Sequence, residues 1–234
     1  MSLYLWINIL SFGFPFLLSF DKKVHFYTKW RSLLPAIIIV GVLFIAWDVV
    51  FTQKGIWGFN EDYLSGIRIF NLPVEECLFF FTVPYACVFI YEVMKAYFPH
   101  FRPVGFAYYF ALIFSLSTVI LAVIFRQNFY TFYALMGAGI INWVVYFGFT
   151  PRWYPYFVVS FLVILIPFLV VNGILTGAIT PQPIVWYNEE HIMGPRIYTI
   201  PVEDIFYNFF MLFPVVIIHE WLDRKFSTKY PAMK

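Results

Sequence analysis

The sequence predicts an all-α integral membrane protein, with seven transmembrane helices arranged as two parallel three-helix repeats joined by a linker helix. Three observations carry this expectation. The 234-residue chain is 62% hydrophobic, 24% aromatic and 12% charged, with a mean hydropathy of +0.79. A water-soluble core does not use that much apolar surface, so the solvent is lipid. Seven stretches come close to the roughly 20 apolar residues that cross a bilayer core. The chain also matches itself at an offset of 128 residues without a gap: Asn60/Asn188, Glu61/Glu189, Gly66/Gly194, Arg68/Arg196, Pro73/Pro201, Glu75/Glu203 and Glu92/Glu220 coincide. Apolar coincidences arise by chance in such a composition; coincident Asn, Glu and Arg mark a duplicated unit.

In chain order the stretches are 3–20, 33–51, 74–97, 105–125, 130–149, 155–175 and 202–222. Each is expected to be a helix, because a helix satisfies its own backbone polar groups in lipid. The first is short for a span. No basic residue precedes it and no small-x-small cleavage site follows it, so it reads as a retained helix rather than a signal peptide. The second carries Asp48 after Trp47. The third and seventh open on Pro73-Val74-Glu75-Glu76 and Pro201-Val202-Glu203-Asp204. Pro15, Pro35, Pro84, Pro167 and Pro214 lie within or near spans and predict kinks. Cys77 and Cys87 would sit about 15 Å apart on one helix, too far for a disulfide, and read as packing residues. The expected boundaries are 1–99 for the first repeat, 100–128 for the linker helix and 129–234 for the second repeat, all in one bundle.

Orientation follows from basic residues. With the N-terminus outside, Lys22, Lys23, Lys29, Arg31, Lys95, Arg102, Arg152, Arg224, Lys225, Lys229 and Lys234 are cytoplasmic, and only Lys54, Arg68, Arg126 and Arg196 are opposite. This bias favours a multi-pass protein with an outer N-terminus and a cytoplasmic C-terminus. An offset of four helices is even, so both halves point the same way, related by a pseudo-twofold axis along the membrane normal. Both acidic motifs then enter from the same outer side toward a common cavity. The net charge of +2 argues for no nucleic-acid partner.

Glu75 and Glu203 are the leading candidates for chemistry, with Glu76 and Asp204 beside them. The plain alternative makes them helix-start residues that meet the positive end of the helix dipole. Acids next to a long apolar span are costly, which favours function. Adjacent helical residues differ in direction by about 100°, so at most one of each pair points squarely into a site. Asn60, Glu61 and Arg68, and their repeats Asn188, Glu189 and Arg196, suit a lid over the helix starts. An Arg196–Glu203 pair would make that glutamate a base, whereas an unpaired, desolvated one would be an acid. Asp48 is a rare intramembrane acid, and Asn172 falls in nearly the corresponding place, out of register by four. Glu92 with Lys95 and Glu220 with Arg224 read as helical ion pairs, and His219 as interfacial. Four scattered histidines give no metal-ligand spacing. Aromatic residues near the motifs, Trp47, Trp57 and Trp186, suit a wall around a cationic intermediate. No dinucleotide fingerprint or P-loop occurs, so no cofactor is expected. The last span has no lysine for a retinal Schiff base.

At these residues the chain resembles the membrane-integral lycopene cyclases of carotenoid biosynthesis, in which two three-helix subunits or fused halves each carry a Pro-x-Glu-(Glu/Asp) motif at a helix start. Pro73-Val74-Glu75-Glu76 and Pro201-Val202-Glu203-Asp204 fit that motif, the second copy ending in Asp. The resemblance covers nearly the whole chain in its three-one-three layout. It implies a lycopene β-cyclase, an intramolecular lyase that closes the ends of lycopene to β-ionone rings by redox-neutral acid–base chemistry. It gives Glu75 and Glu203 the acid and base roles, with Glu76 and Asp204 supporting. The implied partners are the carotenoid, membrane lipid and other carotenoid enzymes. A carotenoid end-group hydratase, a small proton-coupled transporter and a non-catalytic carotenoid-binding protein are the rival readings.

Overall fold

The computed structural model describes residues 2–229; Lys234, counted above for orientation, lies outside them. Seven α-helices make up the bundle: α1 Leu3–Leu18, α2 Trp30–Gln53, α3 Val74–Tyr97, α4 Val104–Ile124, α5 Phe129–Phe149, α6 Tyr154–Leu175 and α7 Glu203–Lys229. Six of them are long and apolar enough to cross a membrane; α1, at 16 residues, is shorter. The chain is thus a multi-pass membrane protein. Its lipid-facing surface is apolar, with residues such as Leu10, Leu43, Ile113 and Ile166 exposed.

Helix α1 is held by polar contacts as well as packing. Asn8 Nδ2 donates to the Glu75 carbonyl (3.0 Å), and Thr82 Oγ1 donates to Asn8 Oδ1 (2.7 Å). In an apolar solvent such bonds have no water to compete with them. Helix α4 packs chiefly on α5, tied by Asn142, whose Nδ2 donates to Ser115 Oγ (2.9 Å) and whose Oδ1 accepts from Tyr154 (2.6 Å). The other contacts recur at the repeat offset: α1 packs on α3 as α5 packs on α7, and α2 packs on α7 as α6 packs on α3.

The segments before α3 and α7, read from the sequence as lids over the helix starts, each contain three short strands. The first contains β1 (Trp57–Phe59), β2 (Arg68–Ile69) and β3 (Leu72–Pro73); the second contains β4 (Val185–Tyr187), β5 (Arg196–Ile197) and β6 (Ile200–Pro201). Hairpin β2–β3 pairs Arg68 with Pro73, and hairpin β5–β6 pairs Arg196 with Pro201. Their turns place Phe70 and Tyr198 at φ of 57° and 58°, and the chain entering each hairpin places Gly66 and Gly194 at 82° and 99°. Asn60 Oδ1 accepts from the Asp62 N–H as Asn188 Oδ1 accepts from the Glu190 N–H.

Strands β1 and β4 join the lids in antiparallel register, Trp57 opposite Tyr187, Gly58 opposite Trp186 and Phe59 opposite Val185. The central partners, Gly58 and Trp186, are themselves 128 residues apart. The flanking bonds repeat too: the Asn60 N–H donates to the Ile184 carbonyl and the Asn188 N–H to the Ile56 carbonyl, both at 2.9 Å. Gly58 is required there, because a Cβ would lie 2.3 Å from the Trp186 ring.

At the opposite end of α3 and α7, Lys95 Nζ lies 2.8 Å from Glu92 and 2.5 Å from Glu220. The expected helical pair of Glu92 with Lys95 is present and extends across to α7. The Tyr91 hydroxyl also donates to Glu220 (2.7 Å). His219 is fully buried beside this cluster, 3.2 Å from Glu92.

Candidate active site

Proline at 73 and 201 starts this site. Its fixed φ suits the end of a hairpin and the entry to a helix, and both prolines are buried at the inner end of their lid strands. The two acids that follow in each motif point different ways, as a 100° helical step requires.

The first acid of each motif faces its own lid. Glu75 Oε1 accepts from Ser2 Oγ (2.6 Å) and the Ser65 N–H (2.7 Å). Glu203 Oε1 accepts from Thr131 Oγ1 (2.5 Å) and the Met193 N–H (2.6 Å). Both glutamates are fully buried. Ser65 and Met193 stand 128 residues apart, so each repeat ties its lid to its helix start by the same bond.

The second acid of each motif faces a cavity. Glu76 and Asp204 line the same small space, of about 50 Å³, inside the bundle. Glu76 Oε2 accepts from the Tyr4 hydroxyl at 2.6 Å. Asp204 accepts three bonds, from Tyr130 (2.6 Å), Asn172 (2.6 Å) and Tyr187 (3.0 Å). Asp48, fully buried on α2, is a close neighbour of Glu76. Trp57 Nε1 and Thr52 Oγ1 donate to Asp48 Oδ1, while Asp48 Oδ2 has no donor. Asp48 and Asn172, off register in sequence, therefore occupy matching positions beside the second acid of each motif. Tyr187 lies on a lid strand; burial, followed by the neighbouring Asp204 charge, pushes its hydroxyl well above the usual range, which keeps it a neutral donor.

Aromatic rings line the space. Trp57, Phe79 and Tyr207 line it, and Trp57 meets Tyr130 edge-on at 5.1 Å. Asn208, one turn beyond Asp204, also lines it, with neither end of its buried amide partnered. Trp47 stacks on Phe44 and meets Tyr207 edge-on but lines a separate groove. Trp186 is outside, over Gly58.

The remaining polar candidates belong to the lids and not to the cavity. Arg68 pairs with Glu61 and donates to the Asn71 carbonyl (2.6 Å). Arg196 pairs with Glu189 at 2.6 Å and donates to the Thr199 carbonyl (2.8 Å). The postulated Arg196–Glu203 pair gives way to this one, because the hairpin turns the arginine outward. Tyr4, Tyr130, Tyr187, Tyr207 and Asn208 were missed by sequence reasoning. Among 17 tyrosines no single one stands out, but Asn208 is an amide within an apolar span, and that alone was a usable signal.

Carboxyls, phenols and aromatic rings from several membrane helices line one small space, an arrangement able to exchange protons with an apolar molecule. The lycopene cyclase family model matches residues 1–94 and 127–222, two segments that leave out the whole of α4. No curated protein and no solved structure matches the chain. The chain belongs to the lycopene cyclase family, and so is a cyclase of carotenoid biosynthesis with a carotenoid substrate in the membrane.

Proposed function

We propose that the protein is a lycopene β-cyclase in which Glu76 and Asp204, rather than Glu75 and Glu203, exchange protons with the substrate. The observation that carries this reading is that the second acid of each repeated motif lines one common cavity, whereas the first is engaged by its own lid. Neighbouring buried carboxyls can share one proton; this reading gives Asp48 and Glu76 that role, with Glu76 as the member that meets the cavity. It delivers the proton to the terminal double bond of the acyclic end group. The resulting tertiary cation is attacked by the next suitably placed double bond, closing the ring and moving the positive charge onto a ring carbon. Asp204, an acceptor for three hydrogen bonds, removes a proton from the adjacent ring carbon to leave the β-ring alkene. One proton enters and one leaves, so no electrons are exchanged. The rings of Trp57, Phe79 and Tyr207 line the cavity and would offer negative quadrupoles to the cation, while the apolar surroundings limit the water that could capture it.

The same reading assigns the architecture. Residues 1–99 and 129–234 are two three-helix repeats, with α1 as a span despite its length, and 100–128 is the linker. They are related by a pseudo-twofold axis through the Gly58–Trp186 pair, along the membrane normal, with the N-terminus and both lids outside. The repeated lid bonds support the axis, and the bias in basic residues supports the orientation.

Membrane vesicles carrying the protein, given preformed unlabelled lycopene in heavy water, test the function. A β-ring pigment carrying one deuterium per newly closed ring is expected. A hydroxylated product would identify a hydratase, and unchanged lycopene with solute uptake a transporter.

A further inference from the structure

An apolar groove of about 330 Å³ lies between α1, α3 and α6, lined by Leu10, Val83, Ala86, Pro167, Phe168 and Val171 among others. It begins where the cavity ends. Phe168 lines both spaces, and Asn172, which holds Asp204, is one helical turn beyond it. From there the groove follows the same three helices that carry Tyr4, Glu76 and Asn172, away from the lids, for about 10 Å of helix rise between Ile164 and Val171. Prolines sit in all three walls: Pro15, Pro84 and Pro167. Each removes a backbone hydrogen bond one turn back and crowds the carbonyl there, which loosens the packing that would otherwise fill such a gap. The groove opens to lipid past the exposed rims of Leu10 and Phe14.

The corresponding helices of the other half, α5, α7 and α2, also border a groove, lined by Trp47, Tyr133, Ile140 and Phe210, but it shares no lining residue with the central cavity. Trp47 and Phe210 meet at 5.5 Å on its inner wall. Only the first groove is continuous with the acids.

We infer that the groove between α1, α3 and α6 seats the polyene chain of the carotenoid, and that Phe168 is the gate that swings aside for the end group to reach Glu76 and Asp204. The inference rests on the cyclase reading. A space of about 50 Å³ holds a few water molecules but not a branched hydrocarbon end group, so a side chain at its mouth must move. Phe168 is the aromatic ring common to both spaces.

The test measures binding apart from turnover. In the full chain carrying Glu76→Gln, the polyene that co-purifies per protein in detergent is measured with Ala86→Phe added. Filling the groove is expected to lower the load about tenfold, while Ile140→Phe in the other groove leaves it unchanged. Val171→Phe is the second filling variant, should Ala86→Phe not fold. An unchanged load in a folded filling variant would give the groove to lipid acyl chains and overturn the inference. In the otherwise intact chain, Phe168→Trp is expected to keep the load and cut turnover about tenfold; unaltered turnover would remove the gate. Should Glu76→Gln itself cyclise, the acid assignment fails, and the load measurement still decides the groove.

Discussion

Glu203→Gln separates the lid glutamates from the cavity acids. The native Oε1 accepts from Thr131 Oγ1 at 2.5 Å and from the Met193 N–H at 2.6 Å. Charge-assisted hydrogen bonds contribute about 1.5–3 kcal/mol each and neutral ones about 0.5–1.5. Two bonds weakened by about 1 kcal/mol apiece give a loss of about 2 kcal/mol. The new amide N–H₂ falls where Oε2 has no partner, and two orphaned donors there add to the cost. The loss is local: the lid over 188–201 loosens first, while the α7 packing persists. Hydrogen exchange in detergent should show faster exchange of the Met193 amide, with earlier thermal unfolding, and folded protein should retain cyclase activity. A Glu203→Gln protein with native exchange at Met193 and no cyclase activity would refute this reasoning and return Glu203 to the chemistry.

Gly58→Ala should destabilise the joint between the lids by about 1–3 kcal/mol, because its Cβ would meet the Trp186 ring at 2.3 Å; adding Trp186→Ala should recover the thermal stability, and no recovery would place the strain elsewhere. Lys95→Met leaves Glu92 and Glu220 without the cation between them and should cost toward the lower end of about 3–5 kcal/mol, since Lys95 is a quarter exposed; thermal unfolding that matches wild type would show the cluster is not a clamp. The Lys23 and Val24 backbone N–H groups hold the Asp21 carboxyl below its usual range. The turn they close should therefore be fully protected above the usual aspartate pKa and lose protection as pH falls through the lowered one; protection factors at Lys23 and Val24 that stay constant across that range would contradict this.

Much of this structure was legible because lipid simplifies the rules. Long apolar runs became helices at nearly the expected bounds, and the 128-residue offset reappeared as matching bonds from Ser65 and Met193 and from Arg68 and Arg196. The lids were not legible as strands, since two- and three-residue strands such as β2 and β5 carry no period. The choice between Glu75 and Glu76 was illegible for a related reason. Adjacency on a helix says that only one faces the cavity, but which one depends on how the helix is rotated, and Ser65 fixes that through a tertiary bond. Asp48 and Asn172 could be paired only loosely, because α2 and α6 reach the acids four residues out of register.

Pigment chromatography of four variants in one lycopene-accumulating host, normalised to folded protein, decides which acids handle protons. Glu76→Gln and Asp204→Asn should leave lycopene uncyclised, while Glu75→Gln and Glu203→Gln should still yield ringed pigment. Rings from the first two variants and none from the second two would contradict the assignment.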